Sequence, residues 1–186
     1  MKKYELTEET KTLNGTVLHR IRAVRDIYSD GVAVKAGELG GWLESEANLV
    51  HAGEAWVSGE AIVLGNALVA GSAWVSGFAR VYGSALVFGS AHVADEAHVY
   101  GSAHVAGKAR VFGSAHVAGD AIVLGNATVF GEAAVHGSAH VGGDAELFGS
   151  AEVLDHVHIG GKARIFGEAR VSGEAWIYGD AAVKEP

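Results

Sequence analysis

Two pairs of histidines, His98 with His116 and His140 with His158, each stand eighteen residues apart. A neutral imidazole can take a proton from a hydroxyl or an amine, or bind a metal through a ring nitrogen. If eighteen residues make one coil, each pair is separated by about 4.8 Å, the spacing of neighbouring strands. Two imidazoles so placed can share a metal such as zinc, with a third ligand from another subunit. They can equally stack and do no more. Protonating both members of a pair would then cost stability below about pH 6. His92, His104, His136 and His156 are further candidates by residue type alone. The chain has no Cys, which excludes disulfides, thiolate catalysis and Cys-based zinc sites. No Ser-His-Asp arrangement stands out, and Gly161-Lys162-Ala163-Arg164 belongs to a repeat rather than to a phosphate-cradling loop. Lys108 with Arg110, and Lys162 with Arg164, make small basic spots. They could hold an anion such as phosphate, or simply disperse charge for solubility.

The elements that carry these residues are set by a repeat. From Gly53 to Lys184 a six-residue unit, Gly-x-Ala-x-Val-x, recurs twenty-two times without insertion or deletion. Only Asp95 and Asp155 replace Gly at the first place, and only Val157 replaces Ala at the third. The fifth place is Val except at Leu147, Ile159, Ile165 and Ile177. Alternation puts places three and five on one side of a strand and places two, four and six on the other. Uniformly small or β-branched residues on one side and varied residues on the other predict a sheet with one buried face. Gly at the first place allows a tight turn between short strands.

Like residues also recur at eighteen. Phe112, Phe130, Phe148 and Phe166 share the sixth place, and Trp56 and Trp74 share the fourth. Three units per coil would stack these rings in register, an arrangement favourable for aromatics. The expected fold is therefore all-β: a single-stranded, three-sided parallel β-helix of about seven to eight coils. Residues 1–46 do not repeat and read as a small N-terminal β cap, with residues 47–184 as the β-helix. Within the cap, Thr16 to Val24 alternates as a half-buried strand, after a hairpin signal at Asn14-Gly15. Asp30-Gly31 and Gly40-Gly41 read as further turns. Ala47 and Leu49 fit the repeat as a transitional unit, while Lys184, Glu185 and Pro186 could either discourage edge pairing or sit at an end-to-end junction between two helices.

Composition narrows the function. A net charge of −8 disfavours non-specific nucleic-acid binding. The N-terminal residues lack an apolar signal core, and no apolar run approaches membrane-spanning length, so a cytoplasmic protein is expected. A line of outward Phe with Trp56 and Trp74 would form an apolar stripe of several hundred Å², a size that marks an interface. A homo-oligomer joined through that stripe is the expectation, with a protein or small-molecule partner left open.

Val57 followed four places later by Ala61, Val63 by Ala67, and nearly all their successors resemble the hexapeptide-repeat superfamily. That resemblance implies a left-handed coil. Arg20 to Val24, Ala36 to Glu44, and Ala47-Asn48-Leu49 look like the N-terminal region of bacterial and prophage-encoded members. Those are labelled acyltransferase or polymer-forming on account of the repeat. The acyltransferases of the superfamily are typically trimers that bind acyl-CoA between subunits and use a His as general base; related γ-class carbonic anhydrases hold zinc with three His at a subunit boundary. This chain departs from them in lacking an extruded loop within the repeat, and no catalytic His carries over by motif. The first expectation is thus a non-catalytic solenoid, a scaffold or binding protein with a conceivable phage accessory role and no cofactor. The alternative is a CoA-dependent acyltransferase with an outward His as base.

Overall fold

The computed structural model describes residues 2–29 and 32–184. The Asp30-Gly31 turn signal and Glu185-Pro186 lie outside them. The fold is a three-sided β-solenoid. Twenty-two strands of two or three residues, from Trp56–Val57 to Ala182–Lys184, sit at places four and five of successive units. Each, up to the strand at Arg164–Phe166, pairs in parallel with the strand eighteen residues on, as in Trp56 with Trp74, Arg80 with His98, and Leu86 with His104. Three sheets result. Face 1 carries Ile62, Arg80, His98, His116, Ala134, Glu152 and Arg170 at place four. Face 2 runs from Leu68 to Trp176, and face 3 from Trp56 to Ala182.

Alternation along each strand explains the core. Ala at place three and Val, Leu or Ile at place five are buried from Ala55 to Val171. Ala leaves room for three sheets to meet inside a narrow prism, and β-branched Val suits the strand backbone. The turn at place one explains the glycines. Gly119, for example, has φ of +70°, and a Cβ there would lie 2.7 Å from the carbonyl oxygen of Gly137 on the next coil. Asp95 and Asp155 occupy the same left-handed conformation, with φ of 58° and 59°. Each carboxylate accepts a hydrogen bond from the next coil's glycine, Gly113 N–H at 3.0 Å and Gly173 N–H at 2.9 Å. That bond offsets part of the cost of the side chain.

The N-terminal segment closes one end. Strand β1 (Tyr4–Leu13) pairs antiparallel with β2 (Thr16–Ala23). Asn14 and Gly15 both have positive φ, as a two-residue primed turn requires. Strand β2 pairs antiparallel with β5 (Leu39–Leu43), and β5 pairs in parallel with Ile62–Val63, so the parallel sheet already starts at Trp42. Strands β3 (Ile27–Ser29) and β4 (Val32–Val34) pair antiparallel as a separate two-stranded sheet.

Two readings of this segment change. Gly40 and Gly41 are not a turn: they lie buried inside β5. A Cβ at Gly40 would meet Ile21 Cγ1 and the Val57 carbonyl oxygen at 2.6 Å, and one at Gly41 would meet the Ala61 carbonyl oxygen at 2.6 Å. Close backbone approach is what demands glycine there. Ala47 is exposed in a single 3₁₀ turn, Glu46–Asn48, rather than facing the core. The buried Asn48 amide takes that role, donating to the Gly65 and Ala67 carbonyl oxygens at 3.0 Å each. Leu49 is buried and bridges to Val69 as expected of a transitional unit. Among the described residues no helix is long and apolar enough to cross a membrane.

Candidate functional site: ring ladders on the three faces

Face 3 carries the phenylalanines. The coil register brings Phe112, Phe130, Phe148 and Phe166 into one stack, with centroids 5.1 Å apart at each step and planes within 12° of parallel. All four are half-buried, since each ring covers the next. The Arg164 guanidinium lies 5.2 Å from the Phe148 centroid and 5.6 Å from that of Phe166, and its Nε donates to Glu146 at 3.0 Å. Cation and rings attract through the ring quadrupole. The stripe does not extend to Trp56. That indole is 1% exposed, because the cap folds over it: a Cβ on Gly40 would lie 2.7 Å from its Cζ2. Trp74 is partly buried and packs against the core cluster that holds Trp56.

Face 1 carries the first histidine pair. His98 and His116 pair in register, and their rings lie 5.0 Å apart, tilted by 53°. Beside them Tyr82 and Tyr100 stack at 5.0 Å with planes 2° apart. Tyr82 sets its edge against His98 at 6.1 Å, and Tyr100 against His116 at 6.3 Å. The result is a four-ring block. Tyr82 and Tyr100 escaped the sequence reading, although they too share the sixth place at eighteen residues.

Face 2 carries the second pair. His140 and His158 lie 4.8 Å apart, and Trp176 stacks on His158 at 4.4 Å. Gly142 and Gly160 take the sixth place here, leaving a bare backbone strip between Leu124 and Tyr178. That strip forms a recess of about 250 Å³ with the two imidazoles on one side.

Burial lowers the pKa of His98 below the ordinary imidazole value, helped by His116 and Arg80 and opposed by Glu96. Burial likewise lowers His140, with His158 adding to it, and His136, with His116 adding to it. Neutral imidazoles are the form that accepts a proton or binds a metal. Among the described residues no three of His, Asp and Glu converge where they could hold a metal ion, so either pair offers two ligands from this chain.

The unfolded chain takes up protons first, near the ordinary value of about 6.5, while the folded imidazoles resist. Stability is then steady above about pH 7 and falls as the pH drops through 6.5 towards 5. Glu60, held at about 2 chiefly by its hydrogen bond from Arg20, stays ionised throughout that window. The expected result is a melting temperature that declines over this range, and a smaller decline in a His98→Gln, His140→Gln variant. An equal decline in both proteins would remove the imidazoles as its cause.

Family models and curated proteins give no match to this chain.

Proposed function

We propose that this protein is a self-assembling β-solenoid scaffold: face 3 joins copies of the chain, and the other faces remain free to bind. The supporting observation is the unbroken Phe stack, four rings at 5.1 Å steps. A short strand needs no such ladder to bury its inward side, which Ala and Val already do. A flat row of half-buried rings gives a second copy a regular apolar surface, and the Arg164–Glu146 pair beside it provides a polar rim. A stable interface buries about 800 Å² per partner, so the stripe would form its centre and the flanking place-four residues the remainder.

Mass in solution tests this. Wild-type protein is expected to be an oligomer by native mass spectrometry and by sedimentation. Phe130→Ser with Phe148→Ser should break it into monomers that keep the β spectrum, since both rings sit outside the core. A monomeric wild type, or an unchanged oligomer in the variant, would overturn the proposal.

A further inference from the structure

The tip of the β1–β2 hairpin overhangs face 1. Leu13 and Asn14 from the tip, with Leu64, Arg80, Tyr82 and His98 from the sheet, line a recess of about 240 Å³. Ligand pockets commonly measure about 300–1,000 Å³, so the occupant is small. Its apolar wall is well founded: Leu13 and Leu64 pack on the small cluster of Leu18, Trp42 and Ile62. Opposite stands Arg80. Arg20, Arg22, Arg25, Arg164 and Arg170 each pair with a glutamate. Arg80 and Arg110 pair with none among the described residues, in a chain with eight more negative than positive charges, and of these two Arg80 lines this recess.

The other polar groups of the recess are uncharged near neutral pH. The Tyr82 phenol is protonated near neutral pH like any phenol, and burial raises its pKa further against the opposing pull of Arg80. Burial also keeps the His98 imidazole neutral. One guanidinium is therefore the single full charge on a recess otherwise made of two leucines, a phenol, an imidazole, an amide and the Thr16 hydroxyl. A multiply charged phosphate would need more cations than this. A planar carboxylate matches the guanidinium fork with two parallel hydrogen bonds.

We infer that this recess binds a small organic carboxylate, with Arg80 holding the carboxylate and Leu13, Leu64 and Tyr82 enclosing a ring or short apolar chain. The hairpin is then more than a cover for the end of the prism, because it supplies one wall of a site. The site lies on face 1, away from the phenylalanine stack, and does not depend on assembly.

Benzoate is a suitable probe, with benzamide as its uncharged counterpart. In isotope-labelled protein, benzoate should cause saturable NMR shifts at the Leu13 and Leu64 methyls and the Tyr82 ring. Affinity should fall by at least about tenfold for benzamide and for the Arg80→Gln variant, the scale of a lost charged hydrogen bond. Arg80 is exposed and unpaired, so the variant should melt like wild type. The absence of saturable shifts, equal affinity for benzamide, or full binding by Arg80→Gln would overturn the inference. So would equal competition by inorganic phosphate, which would mark Arg80 as a non-selective anion contact.

Discussion

Gly119→Ala is expected to destabilise the solenoid severely, and Gly179→Ala only mildly. Both glycines have left-handed φ, +70° and +73°. An L-residue there costs about 1–2 kcal/mol from its own backbone. At Gly179 nothing lies within 4 Å of the added carbon, so that cost stands alone. At Gly119 the carbon would sit 2.7 Å from the Gly137 carbonyl oxygen and 3.0 Å from its nitrogen. Those atoms belong to a backbone that is hydrogen-bonded between coils, as in Asp120 N–H donating to the Gly137 oxygen at 2.7 Å. They cannot move without parting two coils. Forced overpacking adds about 1–3 kcal/mol, bringing the total to about 2–5 kcal/mol. Denaturant unfolding of the two variants beside wild type gives the comparison. Equal losses would show that backbone conformation alone, and not the closeness of neighbouring coils, selects glycine.

Glu60→Gln should loosen the cap from the first coils. Glu60 accepts from Arg20 Nη1 at 2.7 Å, Trp42 Nε1 at 2.9 Å and Lys11 Nζ at 3.1 Å. Lys11 and Arg20 also lie over the Trp42 ring, 4.2 and 4.9 Å from its centroid. One carboxylate thus ties β1, β2 and β5 to the second repeat unit. Arg20 is mostly buried, so weakening its acceptor leaves a cation poorly compensated. The expected loss is about 1–3 kcal/mol, held down because Glu60 itself is partly open to water. The carboxylate is kept ionised down to about pH 2, mainly by the Arg20 hydrogen bond and then by Trp42 and Lys11, against the opposing effect of burial. Its contribution is complete above the unfolded value of about 4.3 and disappears as pH falls from there towards 2. Wild type and variant should therefore melt apart near neutral pH and converge in acid. A gap that persists at about pH 2 would assign the effect to shape rather than charge.

What could be read ahead of the structure was whatever the eighteen-residue period controls. Ring stacking of Phe112 with Phe130, and of His98 with His116, needs only the period and the place within the unit. Tyr82 and Tyr100 obey the same rule and were open to the same reading. Trp56 was misplaced because its cover comes from Gly40, outside the repeat, where no period applies. Gly40-Gly41 looked like a turn because composition cannot separate a bend from a close approach of two backbones. The recess beneath the hairpin was out of reach for a similar reason. Leu13 and Arg80 are far apart in sequence, and the lack of a partner for Arg80 is a property of the folded neighbourhood.

The strict register has a consequence for length. Removing any eighteen consecutive residues of the repeat rejoins each place of the unit to the next in sequence and keeps every later strand on its own face. The prism would shorten by one coil, about 4.8 Å, with its cross-section unchanged. Adding eighteen would extend it by the same step. The distance from the capped end to any point along the shaft is thus counted in whole coils, as on a ruler. A surface that must meet a partner at a fixed reach could be tuned by copying or deleting one coil, with no redesign of the core.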